Sequence, residues 1–252
     1  LGIPSGEGRH VDTDRSVCYG VVIWRSRTRV TVYGVLMSKT AASARVELDA
    51  AQAGSLDAAW QEIQPDAARR LLIAAVDAFA ARGYHGTTTR DIADRAGLSP
   101  AGVYVHFRSK EELLYRITLV GHQHTHRVVA DAMAGAETPT EQLRAMIAAQ
   151  TEWEARHHTT ARVIEYDLPF LAPEHHAEIT VLRRSINGMV RGVLERGTAS
   201  GELEVSDVAG TALALLSLVT DVARWYPTAG RKSPEKLGRL YADLALRMAG
   251  AR

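Results

Sequence analysis

The sequence predicts an all-α protein in two parts: an N-terminal helix-turn-helix unit followed by a larger C-terminal helical domain. Beyond Pro65 the apolar residues recur at the three- and four-residue spacing of helix faces. The interruptions fall at Gly83, Gly97, Gly135, Pro169, Pro173, Gly201, Pro227 and Gly230, residues that end helices. The composition agrees: 46% hydrophobic and 23% charged residues in a chain of 252 suit one or two globular domains and exclude a wholly disordered chain. Thirty Lys and Arg against 29 Asp and Glu leave a net charge of +1, so any nucleic-acid contact must come from a local surface. A lone cysteine, Cys18, excludes an intrachain disulfide and a cysteine-based zinc cluster and fits a reducing cytoplasm. No apolar run reaches the roughly 18 residues of a membrane span, so no membrane partner is expected.

Residues 1–57 read differently from the rest and are expected to be a poorly ordered extension, with Met37 an alternative start. Weak strand signals at Val21-Val22-Ile23-Trp24 and Val30-Thr31-Val32-Tyr33 amount to one hairpin, marginal in water, and the order of a secretory signal is lacking. The DNA-binding domain is expected over 58–112 and the effector and dimerisation domain over 113–252. Leu72, Ala75, Val76 and Phe79 share one face of a first helix that Gly83 stops. A second runs from about Thr89 to Ala96 behind a Thr88 or Thr89 cap. Gly97-Leu98-Ser99 turns the chain, and Pro100 opens a third helix to about Phe107. Ser109 and Glu112 form a capping box for a fourth, through Leu113, Leu114 and Ile117. Longer helices are predicted at about 139–157, 175–198, 206–226 and 234–249.

A short helix, a glycine turn and a second short helix make the unit that lays its second helix in the DNA major groove. Ile92, Ala93, Val103 and Phe107 are its core residues, which leaves Ser99, Ala101, Gly102, Tyr104 and His106 on the exposed side behind Pro100. Small residues there permit a deep fit, while hydroxyl and imidazole groups can reach phosphates or base edges. Thr88, Thr89 and the unpaired N–H groups of the second helix offer an anion site, Arg90 a positioning contact and Lys110 a further phosphate contact.

Taken in order, Thr88-Thr89, Ile92-Ala93, Ala96-Gly97, Ser99, Gly102, Tyr104, His106-Phe107 and Ser109-Lys110-Glu111-Glu112-Leu113 closely resemble the tetracycline-repressor (TetR) family of bacterial transcription regulators. The upstream Gly83-Tyr84 fits that family's first helix. The resemblance implies a homodimer that binds a palindromic operator on double-stranded DNA and releases it when a small-molecule effector enters the C-terminal domain. More weakly, Arg224-Trp225-Tyr226-Pro227 followed by Gly230 resembles the TetR subgroup that answers acyl-coenzyme A thioesters, with the glycine later than in that pattern. On that reading Trp153, Tyr166, Arg224, Trp225 and Tyr226 bind ligand, and Arg224, Arg231 or Lys232 pairs with coenzyme phosphates. The alternative makes Trp225 and Tyr226 core or dimer residues.

The segment Val208–Val222 is apolar on nearly every side and must be covered all round, in part by a second copy of the chain. Ile186, Met189, Val193, Leu215, Val219 and Val222 are the expected dimer residues. His122 and His126 have a spacing that can chelate a metal, but no third ligand is evident, so neither metal nor cofactor is expected beyond the effector. Glu165, Asp167, His157 and His158 could form an acid/base set, yet no nucleophile elbow, phosphate loop or zinc-protease motif accompanies them, and catalysis is not expected.

Overall fold

The computed structural model describes Trp60, residues 63–229 and residues 232–251, so the expectations for residues 1–57 lie outside the described residues. Four helices come first: α1 (Asp66–Arg82), the short α2 (Thr89–Ala96) and α3 (Pro100–His106), and the long α4 (Lys110–Ala134). Then follow α5 (Pro139–Arg156), α6 (His158–Tyr166), a 3-10 turn at Leu168–Phe170, α7 (Pro173–Ser200), α8 (Val208–Thr220), α9 (Val222–Ala229) and α10 (Pro234–Met248). Two differences from the sequence reading stand out. The helix α6 was not anticipated, and the helix expected over 206–226 is broken at Asp221.

Local chemistry accounts for most boundaries. Thr138 and Glu141 form a full capping box at α5, and Asp207 and Ser233 cap α8 and α10 through side-chain oxygens. At α4 the box is altered: Ser109 accepts from the Glu112 N–H, while the Glu112 carboxylate accepts from the N–H of Arg108 at 2.6 Å. Gly97 ends α2 in the left-handed region at φ 66°, where a Cβ would be strained. At Gly238 a Cβ would stand 2.8 Å from the Ala148 carbonyl oxygen, so a glycine is what allows α10 to lie closely on α5.

Burial divides the helices into two principal cores. The first joins α1, α2 and α3 to the start of α4 and to α6, through Leu71, Leu72, Phe79, Ile92, Val103, Phe107, Leu113, Leu114, Ile117 and Ile164. The domain boundary expected at 112 therefore runs through a packed core, because α4 belongs to both parts. The second core joins the end of α4 to α5, α7, α8 and α10 through Val129, Leu143, Met146, Ile147, Val190, Leu194 and Leu246.

That second core corrects the dimer assignment. Ile186, Val193, Leu215 and Val219 are buried in it, Val222 is buried against Ala155 and Leu237, and Met189 is half-buried against the same core. All six pack within their own subunit. The apolar side chains left exposed on α8 and α10 are instead Leu213, Leu218, Leu240, Leu244 and Met248. An all-round apolar helix does not reveal which of its sides its own neighbours take. By length and mean hydropathy of 1.3, Val208–Tyr226 could also cross a membrane, contrary to the sequence expectation. Here it is interrupted at Asp221 and turns Leu215, Leu216 and Val219 into the core.

Candidate nucleic-acid interface and effector site

The helix-turn-helix is held by its apolar side and offers its polar side to solvent. Ile92, Ala93 and Val103 are fully buried and Phe107 nearly so. The Thr88 hydroxyl donates to Asp91 at 2.7 Å and accepts from the Asp91 N–H at 3.2 Å, so its first role is to cap α2. Asp91 also meets Arg82 at 3.2 Å, and the hydrogen bonds from Thr88, with that guanidinium, hold its carboxyl below the usual range. Thr89 shares a hydrogen bond of 3.2 Å with the hydroxyl of Tyr104, whose side chain is 56% exposed. Two hydroxyls, one from each helix, thus stand together on the open face. Arg90, Ser99, Pro100 and Ala101 are exposed there, and Gly102 and His106 are half-buried. Ser99 caps α3 by accepting from the Gly102 N–H.

Lys110 departs from expectation. Its ammonium donates to the carbonyls of Tyr84 at 2.7 Å and Thr87 at 2.8 Å and lies 4.1 Å from the Tyr84 ring centroid. Burial there lowers its pKa. Both carbonyls lie in the turn between α1 and α2, and Lys110 is a strut that ties that turn to the start of α4.

Of the expected effector residues, Trp225 and Tyr226 adjoin at 6.4 Å between ring centroids, and Tyr166 lies within electrostatic reach of Arg224. Trp153 is buried on α5 beside His157, 5.4 Å between ring centroids, and faces His124 of α4. Tyr166 is exposed. Arg224 is exposed and gives two hydrogen bonds of 2.7 Å to Asp221, so it is already committed to a carboxylate. Trp225 and Tyr226 pack against a small cluster of Ala155, Val222 and Leu237, and the Tyr226 hydroxyl donates to the carbonyl of Lys232. The last pair thus packs, partly buried, against its own subunit.

What the structure does assemble is a buried polar cluster between α4, α5, α6 and α7. Arg183 donates to both oxygens of Glu165, at 3.0 and 2.9 Å, and to Nε2 of His122 at 3.1 Å. The Thr118 carbonyl lies 2.9 Å from Nδ1 of His122 and can only accept, so Nδ1 carries the proton and Nε2 is left to accept from Arg183. His126 turns to the Ser185 hydroxyl, which is how the i, i+4 histidines are spent. On α5, Gln150 bonds the side chain of Glu154, and Glu154 is 2% exposed. Burial, then the nearby charge of Glu165, raises the Glu154 carboxyl well above the usual range, so the site favours its neutral form. Sequence reasoning missed Glu154, Gln150, Thr151, Thr160 and Arg183. The one available signal was polar residues at 150, 151 and 154 among the apolar positions of α5.

The neighbouring histidines are kept neutral. Burial depresses His122 and His124, and burial with the adjacent His124, Arg156 and His158 brings His157 down to about 4. The folded state therefore disfavours the imidazolium, while the unfolded chain takes up its proton near 6.5. This contribution is complete above pH 6.5 and is lost as pH falls towards 4, by roughly 3 kcal/mol for His157. Thermal unfolding of the His157→Gln protein should accordingly show a shallower loss of midpoint between pH 7 and 4 than the parent. Equal slopes would refute the depressed titration.

The first core anchors the DNA-reading unit directly to this region. Arg162 of α6 donates to the carbonyl of Ala80 in α1, and Tyr84 stacks on Phe170 at 5.2 Å. A groove-reading helix pair tied through shared helices to a domain with a polar interior defines a ligand-responsive, DNA-binding transcription regulator. Residues 66–117 match the family model for bacterial regulatory proteins of the tetR family, and residues 136–249 match that for the tetracyclin repressor-like C-terminal domain. A solved tetR-family regulatory protein from Rhodococcus RHA1 is 38% identical, with 75% of this chain and all of that one aligned at a TM-score of 0.72. The ketosteroid transcriptional regulator KstR2 of Mycobacterium tuberculosis is 26% identical over 76% of this chain and 98% of its own, at a TM-score of 0.68. The transcriptional repressor KstR2 of Mycolicibacterium smegmatis is 28% identical over 193 residues, 73% of this chain and 91% of the relative. The chain belongs to the TetR family.

Proposed function

We propose that this regulator is a homodimeric, cytoplasmic repressor that leaves a palindromic operator when an apolar effector, of the acyl-coenzyme A thioester or a related class, enters the domain behind α4. The observation that carries the DNA half is the exposed Thr89–Tyr104 hydroxyl pair, which joins the start of α2 to the middle of α3 on the face opposite the core. Thr88, Arg90, Ser99, Pro100, Ala101, Gly102 and His106 surround it as the remaining DNA contacts. Dimerisation is assigned to the exposed apolar side chains of α8 and α10, which need cover from water. Two recognition helices about 34 Å apart then read consecutive major grooves.

Effector action follows from α4. Its first turns sit in the core of the DNA-reading unit and its middle carries His122 and Thr125, buried beside the polar cluster. A ligand that shifts α4 shifts α3 with it, in both subunits, and an operator that needs both recognition helices at once is lost for small displacements. The arrangement calls for neither catalysis nor a cofactor. The test is a mobility-shift assay on the DNA upstream of the protein's own transcription unit. Specific retardation, reversed by decanoyl-coenzyme A, is expected, and absence of any specific retardation refutes the operator assignment.

A further inference from the structure

Three buried polar atoms near the junction of α5 and α6 have no hydrogen-bond partner among the described residues: Oγ1 of Thr151, Oε2 of Glu154 and Oγ1 of Thr160. Their residues are 0%, 2% and 1% exposed. Thr151 stands one turn before Glu154 on α5, and Thr160 lies in the first turn of α6. A buried hydroxyl or carboxyl left without a partner destabilises a fold, and three in so short a stretch have no structural justification. The adjacent charges are internally settled. Glu165 takes both its hydrogen bonds from Arg183, which also donates to the neutral His122. The region thus offers hydrogen bonds and no surplus positive charge.

We infer that Thr151, Glu154 and Thr160 form the polar end of the effector site and bind an uncharged oxygen, the carbonyl or hydroxyl of a largely apolar molecule, rather than a free carboxylate. The inference rests on the effector reading above and specifies its ligand chemistry. In the neutral form that burial favours, the Glu154 carboxyl can donate through its O–H, and the threonine hydroxyls donate or accept as the ligand requires. A carboxylate would enter an apolar interior without a cation of its own, because Arg183 already serves Glu165. A thioester carbonyl and a simple ketone present the same oxygen, and both satisfy the site.

The experiment has a ligand-free arm and a ligand arm, both on the whole protein. Without ligand, Thr151→Val and Thr160→Val should each raise the thermal midpoint by about 2–4 °C, since each removes an unsatisfied hydroxyl and keeps the shape. A threonine with a merely structural role would give a fall, and a fall in both variants overturns the inference. In the second arm, decanoyl-coenzyme A, 2-decanone and decanoate are compared by thermal shift and by release of operator DNA. At least one of the two neutral carbonyl probes should stabilise the parent and release DNA, with decanoate inert. Affinity for that probe should fall about three- to tenfold in each valine variant, and Glu154→Gln, which keeps a neutral donor, should lose less than Glu154→Leu. Release by decanoate alone overturns the neutral-oxygen assignment while the effector reading stands. If none of the three probes affects either readout, the inference and the apolar effector reading fall together, although retardation of DNA still stands.

Discussion

Replacing Arg183 by alanine is expected to lower the thermal midpoint by about 6–12 °C, the largest single effect at any charged residue of the effector domain. The side chains of Arg183 and Glu165 are only 16% and 15% exposed, and one guanidinium nitrogen serves both oxygens of the carboxylate and Nε2 of His122. Removing it leaves a carboxylate with little access to water, facing a neutral histidine and the buried Glu154. A partner stranded in this way costs about 3 kcal/mol, far more than the net worth of the intact pair. Removing both charges, as in Arg183→Met with Glu165→Leu, should recover most of the loss. The check is thermal unfolding of the three variants at pH 7. A drop below about 2 °C in the single variant would mean that water screens the site and that the cluster is surface-like.

Tyr104→Phe should weaken operator binding by about one-hundredfold or more, because every dimer loses the same hydroxyl twice and a hydrogen bond to a charged group is worth roughly 1.5–3 kcal/mol per copy. Phe keeps the ring, and the hydroxyl is exposed and, among the described residues, bonded to Thr89 alone, so the fold and thermal midpoint should not change. Two further signatures identify a phosphate contact. The loss should be uniform across operator sequences, because phosphate carries no sequence information. The salt dependence should also stay as in the parent, because tyrosine is uncharged and releases no counterions. Mobility shifts at two salt concentrations on two operator variants measure all of this. Undiminished affinity would remove Tyr104 from the interface, and a loss confined to one base position would make it a base reader.

The DNA-reading unit was legible because its determinants are local. Thr88 capping α2, Gly97 turning left-handed and Ser99-Pro100 opening α3 are each fixed by groups within four residues, so spacing along the chain suffices. Ile92, Val103 and Phe107 were identified as core by the same local periodicity. The contacts of Lys110 within its own subunit were not legible, for the opposite reason. The carbonyls that hold it belong to Tyr84 and Thr87, distant in sequence and adjacent only once α1 and α4 have packed.

The effector domain shows the same division more sharply. Helicity, the breaks at Gly201 and Gly135 and the need to cover α8 could all be read from residue order, since each depends on a helix considered alone. Which side of α8 is covered by its own subunit could not, and Val193, Leu215 and Val219 were placed outside when they lie inside. Nor could the pairing of Arg183 with Glu165 and His122, or the buried oxygens of Glu154, Thr151 and Thr160 that are left without a partner among the described residues. Sequence alone determined the class of fold and the helix-turn-helix, because backbone propensity and helix period act over a few residues. Tertiary structure alone decided the polar interior and the free apolar surface, because burial and charge pairing depend on distances that exist only after helices far apart in the chain have packed together.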